Sequence, residues 1–464
     1  MAIEITTGGI SKSFRYFPYD AIYVDANGNV NTSGNGRQVR EAYFNGTKYY
    51  PEAGDDAVTF ICSATRTYPY PPEMDGVTGL YPNVTKCVGS EGGATGRWAN
   101  YGRLLPPTLV LPACTIVGDR GLCATSDASA TLPLTELYLP ICRSVGKSAL
   151  LSQKSLTDVH LPLCKTVDES AFYGCVLLVN LELTSCETAN RQAFGYCEAL
   201  VVLDLPSCKT IGDYCCVGCA SLTTIDLPSC TFVGNYAFQN IAALTDVLMP
   251  ECVTVSQGAF EGCTSITEID LPKCTKVELH SFANCSSLTD VNLPVCTTNG
   301  GAFRQCASLE TVNLPECVSD EGGFIGCASL VEANLSKLTY ANWTFKDCPS
   351  LEKVDMSSCV TIAAHVFNGC VALTEIDLPA CTSVGYESFW GCKSLTTVNL
   401  PECASVGFGT FEHCTSLASI ELPKCTSVDD YAFYDCSSLR AITLKSGCTI
   451  GTRAIPYGTT IIYV

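Results

Sequence analysis

The sequence predicts an α/β solenoid: a stack of coils with one parallel sheet, short helices opposite it, and a β-rich segment in front. Three observations carry this. A self-similarity of 22 residues runs from about residue 106 to the end. One half of each copy alternates apolar and polar residues. The other half spaces its apolar residues by four. A fixed period in this range marks stacked repeats, each too small to bury its apolar face alone.

The copy Ser221-Leu-Thr-Thr-Ile-Asp-Leu-Pro-Ser-Cys230, followed by Val233-Gly-Asn-Tyr-Ala237-Phe238, shows the unit. Its landmark Leu-Pro-x-Cys recurs at Leu139, Leu161, Leu205, Leu227, Leu271, Leu293, Leu314, Leu378, Leu400 and Leu422. Degenerate copies stand at Leu183, Met249, Leu335, Met356 and Leu444, and the period shortens to 21 between Leu293 and Met356. Ile225 and Leu227 alternate with Thr224 and Asp226, the pattern of a strand with one wet face. Pro228 lacks a ladder donor and ends that strand. In another copy Val167, Ala171 and Cys175 are four apart, with Phe172 beside them. That spacing predicts about two turns of amphipathic helix, stable only when packed against neighbours.

Leu-x-x-Ile-x-Leu-Pro, then Val-Gly-x-x-Ala-Phe-x-x-Cys-x-Ser-Leu, resembles the BspA-like class of bacterial leucine-rich repeats over roughly residues 106–448. The resemblance implies a right-handed, curved leucine-rich-repeat array. For function it implies only recognition, since the class holds surface adhesins, host-binding proteins and members of no known role. One departure stands out: Cys follows Leu-Pro-x where the class usually has an aliphatic or serine-like residue.

Residues 1–105 do not repeat and are rich in Tyr and Phe, as in Phe14-Arg-Tyr-Phe-Pro-Tyr19. Asn27-Gly28 and Asn45-Gly46 predict hairpin turns. Tyr68-Pro-Tyr-Pro-Pro72 and Glu91-Gly-Gly93 read as loops. A small β-rich domain follows, either capping the solenoid or attaching it to structural proteins of a larger particle. Residues 106–464 form the solenoid. Its first coil, 28 residues from Leu111 to Leu139, carries an insertion around residues 126–131, and Thr459-Thr-Ile-Ile-Tyr-Val464 predicts a closing strand.

The 464 residues suggest about three domains by length, but a solenoid grows without splitting. The net charge of −19 argues against nucleic acid, which requires clustered Lys and Arg, and against anionic membranes. Basic partners, divalent cations and uncharged glycans fit it better. The first residues, Met1-Ala-Ile-Glu-Ile-Thr, show no secretory signal, and no run of eighteen apolar residues predicts membrane insertion.

The 32 cysteines form a lattice. Cys164, Cys175, Cys186, Cys197, Cys208, Cys219 and Cys230 are each 11 apart, and a second run goes from Cys359 to Cys436. Two cysteine positions per coil therefore face opposite corners. Ile241 and Leu338 substitute in the lattice, which fits a small buried hydrophobe. Parallel Cβ vectors on stacked coils suit disulfides poorly. Cys215-Cys216-x-x-Cys219 lacks the partner pair that zinc requires. Cys62 and Cys87 are the pair best placed for a disulfide.

With Ile225 and Leu227 inward, Asp226 and Thr224 point outward. The equivalent columns are long stripes of acids and amides, with Tyr138 the one aromatic ring. They read as a solvated surface or as a ligand face supplying oxygens to Ca²⁺, sugar hydroxyls or basic protein patches. The ligand face is placed at Glu268, Asp270, Asp290, Asn292, Asn313, Glu332, Asn334, Asp355, Glu375 and Asp377. There the period shifts, Asn292, Asn313 and Asn334 replace acids, and Gly300-Gly301 and Gly322-Gly323 loosen the adjoining turns.

Catalysis is poorly supported. His160, His280, His365 and His413 stand singly, and no catalytic, phosphate-binding or cofactor motif is present. The expected function is non-enzymatic recognition or adhesion, binding a protein or glycan on a host or cell surface, as on a phage fibre or decoration protein. An intracellular protein-binding scaffold is the alternative.

Overall fold

The computed structural model describes residues 108–123 and 134–464, and ahead of them the backbone of short strands. The chain divides into two compact units, Met1–Cys208 with Gly218–Leu222, and Lys209–Val217 with Thr223–Val464. Each contains a parallel-strand solenoid with two ladders.

In the first unit, Thr108–Val110, Glu136–Tyr138, Asp158–His160 and Asn180–Glu182 pair in parallel, with Leu137 opposite Val159 and Val159 opposite Leu181. A second ladder joins Ile116–Val117, Ser144–Val145, Thr166–Val167 and Thr188–Ala189. Both continue ahead of residue 106, to Gly79–Leu80 and Val84–Gly89. Further forward, Tyr23–Val24 pairs antiparallel with Val30–Asn31 and Ala42–Phe44 with Thr47–Tyr49, while the expected turns at Asn27-Gly28 and Asn45-Gly46 lie outside the described residues. Val58–Cys62 pairs with Val84–Gly89, which sets Cys62 opposite Gly89 and Cys87 opposite Phe60. The thiols of this candidate pair, the two expected loops and the insertion at 126–131 lie outside the described residues.

In the second unit Thr224–Asp226 pairs with Asp246–Leu248, and the later face strands form two five-stranded parallel sheets. One runs from Glu268–Asp270 to Lys353–Asp355, the other from Glu375–Asp377 to Thr460–Tyr463. Each strand is short because the landmark turn follows at once. In Leu227-Pro-Ser-Cys230 the Cys230 N–H donates to the Leu227 carbonyl at 3.0 Å, and Pro occupies the turn position that its fixed φ favours.

The expected helices are absent among the described residues; the third side of each coil is a run of tight turns. Ser170, two residues before the buried Phe172, has φ 56°, and Gly174, two after it, has φ 75°. Left-handed backbone at both positions interrupts any α-helix. The hydrogen bonds alternate. Ala171, Tyr173 and Cys175 N–H groups bond three residues back. Ser170, Phe172 and Gly174 N–H groups bond the next coil, at Arg191, Ala193 and Gly195. The four-residue apolar spacing is therefore met by consecutive turns tied across coils.

The core is a phenylalanine stack with cysteine beside it. Phe172 stacks on Phe194 at 5.8 Å in the first unit. In the second, an unbroken series runs from Phe238 to Phe433 with centroid separations of 5.0–5.8 Å. All are fully buried. The thiols have a polar duty as well as a packing one. Phe172 O accepts the Cys175 N–H at 3.1 Å and the Cys197 thiol of the next coil at 3.3 Å. The same thiol-to-carbonyl bond recurs at 3.0–3.3 Å from Cys219 through Cys436. The other cysteine column donates within its coil, as Cys164 does to Thr166 O at 3.3 Å. Gln153 stands in one such slot, fully buried, and its Nε2 donates to Leu122 O. Thirty described cysteines are free thiols, all buried but Cys448.

The 21-residue coils lose one residue in the turn after the second strand. Here Asn299 and Asp320 take the buried position that Val255 and Val277 hold in longer coils. Asn299 Oδ1 accepts the Ala302 N–H at 3.2 Å, and Asp320 Oδ1 accepts that of Gly323 at 2.9 Å. Asn299 Nδ2 donates to Asp320 Oδ2 at 2.6 Å. Gly301 and Gly322 have φ 78° and 73°, and a Cβ on Gly323 would lie 2.1 Å from Asn299 Nδ2 and Asp320 Oδ2. The glycines fit this shortened turn around the amide–carboxyl pair, which gives them an internal reason.

Three outcomes are expected. Phe411→Ala costs about 3–5 kcal/mol, and hydrogen exchange localises the lost protection to neighbouring coils; uniform loss along the chain contradicts this. Burial pushes the Cys164 thiol up to about 11 and Cys142 and Cys175 to about 12. Native alkylation at neutral pH, read by mass spectrometry, therefore labels Cys448 ahead of every other described cysteine. Burial also pushes the Asp320 carboxyl up to about 7, against the Gly323 hydrogen bond. Its proton is held more tightly folded than unfolded. The stability it contributes is full below about pH 4 and is lost as pH rises to about 7. Between pH 5.5 and 7 that loss is about 2 kcal/mol, and Asp320→Asn removes it in urea melts; an unchanged slope refutes the assignment.

Candidate partner-binding face

Strands such as Glu268–Asp270, Asp290–Asn292 and Glu375–Asp377 bury the middle residue and expose its flanks, because successive side chains alternate across a strand. Glu268, Asp270, Asp290, Asn292, Asn313, Glu332, Asn334 and Asp355 share the five-stranded sheet that ends at Asp355. Glu375 and Asp377 open the next sheet. All ten face away from the core; nine are exposed and Asn334 is half-buried. In register, Glu268 lies opposite Asp290, Asp270 opposite Asn292, and Asn334 opposite Asn313 and Asp355.

The amides mediate the charge. Asn292 Nδ2 donates to Asp270 Oδ1 at 2.7 Å, and Asn334 Nδ2 to Asn313 Oδ1 at 2.8 Å. Lys353 Nζ reaches Glu332 at 2.6 Å. The same device appears outside the assigned span, with Asn399 on Asp377 and Asn180 on Asp158, both at 2.6 Å. An amide placed one coil from a carboxylate replaces like-charge repulsion by a hydrogen bond. The asparagines thus stabilise the sheet whatever it binds. On the first unit's face the Tyr138 ring stacks on His160 at 4.3 Å, and His160 Nδ1 meets Glu182 at 2.9 Å. Among the described residues no three His, Cys, Asp or Glu side chains converge to hold a metal ion.

A second surface, on the turn side of the later coils, was not legible as a site. Trp343, His365, Tyr386, Phe408 and Tyr431 form a ring-to-ring series across successive coils, at 4.4, 5.1, 5.6 and 5.5 Å. Trp390, His413 and Tyr434 form another, joined to the first through Tyr431 and Tyr434 at 5.5 Å. Trp343, Trp390, Tyr386, Phe408 and Tyr434 are 38–47% exposed. Carboxylates interleave with the rings: Glu387 lies 3.5 Å from His365, and His413 meets Glu412 at 3.5 Å and Asp435 at 2.8 Å. Burial lowers the His365 imidazole from its usual value, with Glu387 opposing. The signal was hidden because Tyr386 and Phe408 stand three residues before their buried Phe, whereas Trp343 and His365 stand two before theirs. On a helix that shift would turn the ring away; in these turns both positions reach one edge.

The sequence model of the BspA type leucine rich repeat region matches residues 128–245, 253–371 and 339–462. No curated protein matches the chain. Among solved structures, the chain is similar to a leucine-rich repeat protein from Bacteroides ovatus at 21% identity and TM-score 0.49, over 75% of this chain and 92% of that one. It is also similar to a leucine rich cell surface protein from Faecalibacterium prausnitzii at 19% identity and TM-score 0.37, over 80% and 90%. No helix among the described residues is long and apolar enough to cross a membrane. With its repeat model matched over more than half of the sequence and its coils stacked in parallel, the chain belongs to the BspA-type leucine-rich-repeat family.

Proposed function

We propose that this chain is a non-enzymatic recognition protein that binds a protein or glycan on a host or cell surface through the outward sheet face. The span runs from Glu268 and Asp270 to Glu375 and Asp377. The observation that carries the reading is the array itself: oxygen-bearing side chains at fixed register on rigid strands, facing away from the core. Binding groups on a stiff scaffold lose little conformational entropy on association. Exposure on a cell or particle surface suits such a role, and surface adhesins occur in the family the sequence resembles.

The test uses the fluorescent full chain and flow cytometry on whole bacterial and animal cells. Changing Asn292, Asn313 and Asn334 together to Lys is expected to abolish cell binding while circular dichroism and a cooperative unfolding transition show that the fold is kept. Undiminished binding by the triple variant defeats the proposal.

A further inference from the structure

The aromatic stripe of the later coils is the largest feature the sheet-face reading leaves unused. Exposed rings scattered singly require no explanation, but a contiguous exposed aromatic patch on a folded chain marks an interaction surface. Here five rings, each 38–47% exposed, belong to one connected series. Beside Phe408 the stripe opens into a groove of about 410 Å³ whose lining includes Val428, Ile450, Asp429 and Asp430. We propose that this stripe and groove form a docking surface for a basic segment of a partner protein, with Lys and Arg stems along the rings and their charged heads on the carboxylates between them.

Charge complementarity selects this occupant. Asp347, Glu387, Glu412 and Asp435 accompany the rings, and Asp429 and Asp430 line the groove. An anionic partner is repelled. Ring geometry disfavours a neutral glycan, which stacks on broad free faces. Tyr386 and Phe408 lie 12° from parallel, so they turn those faces to each other and leave their edges outward. A Lys or Arg stem packs along ring edges while its head stays at the polar boundary. Where a ring face is free, the chain itself brings an ammonium to it: Lys346 Nζ lies over the Trp343 ring, 5.2 Å from its centroid, and 3.5 Å from Asp347 Oδ2. Cation–aromatic contact and carboxylate act on the same ammonium there. Glu387 beside Tyr386, and Glu412 beside His413, repeat the ring-and-carboxylate pairing without a lysine of their own in that pair.

The test titrates a fluorescein-labelled peptide of alternating Arg and Gly into the full chain. Anisotropy is read at about 150 mM salt, where charges more than about 8 Å apart are screened. A Gln-Gly peptide is the neutral control. The wild type is expected to bind the Arg peptide and not the control. Tyr386→Leu with Trp390→Leu, and separately Glu387→Gln with Glu412→Gln, are each expected to weaken it about tenfold or more. Thermal unfolding confirms that each variant folds. The sheet-face variant Asn292→Ser with Asn313→Ser leaves peptide affinity within about twofold, which separates this surface from the sheet face. Absence of binding, equal binding of the control, or full binding by the ring variant overturns the proposal. So does binding of soluble mannan, lost in the ring variant, when the Arg peptide is ignored; that outcome assigns the surface to glycans.

Discussion

In this molecule the decisive neighbour of almost every residue is its own equivalent one coil away. Backbone pairing fixes the separation, so each position must tolerate a near-copy of itself at about 4.8 Å. Phenylalanine satisfies the rule by stacking, as Phe389 does on Phe411 at 5.0 Å with planes 6° apart. Threonine satisfies it by donating to the carbonyl of the preceding coil, as Thr289 does to Thr267 at 3.0 Å. Carboxylates satisfy it worst, and the sequence answers with asparagine, lysine or histidine in an adjacent coil.

The cysteine lattice follows from the same constraint. A buried phenylalanine carbonyl has two lone pairs, and its own coil supplies one N–H. Leaving an acceptor unsatisfied in the core costs about 1–3 kcal/mol. The slot beside it is small, apolar and one coil along. Cysteine fits because it packs as a hydrophobe and still carries a weak donor. Gln153, buried and aimed at the equivalent Leu122 carbonyl, shows the slot taking a stronger donor. Ile241 shows that it also accepts a purely apolar side chain, as Leu338 does in the other cysteine column. The thiols are explained without crosslinks or metal.

Much of this was readable from residue order. The period located the coils, the alternation at Ile225 and Leu227 gave the wet face, and the substitution of Ile241 for cysteine pointed to a core slot. The helices were misread for a definite reason. Apolar residues at Val167, Ala171 and Cys175 fit a 3.6-residue period, and that pattern says nothing about where the N–H groups bond. What excludes the helix is left-handed backbone at Ser170 and Gly174. Serine is not a residue from which that conformation is inferred, and across coils the same corner holds Tyr236, His280, Trp343 and His365. Only the inter-coil hydrogen bonds hold such residues there. The ten assigned face residues were legible as outward-facing because alternation is a local property. The aromatic stripe was not, since its register depends on the turn conformation.

The shortened coils connect these points. Deleting one turn residue moves an N–H out of reach of its usual carbonyl. Asn299 and Asp320 restore the bond from the position where longer coils keep valine. The repair places a carboxyl in the core and ties it to its neighbour through Asn299 Nδ2, so two successive short coils depend on each other. A lone short coil would leave one of these polar groups without its mate. That dependence ties the first two short coils together, whereas the third holds Ala341 at the same buried position. It also means that the period change beneath Asn292, Asn313 and Asn334 has a cause in the turn, on a different side of the coil from the face those residues occupy. The sheet face keeps its strand register through the change, with Thr311 opposite Glu332 and Asn313 opposite Asn334. A partner on the sheet from Glu268–Asp270 to Lys353–Asp355 would therefore meet a continuous ladder while the adaptation takes place behind it, and a new sheet begins at Glu375.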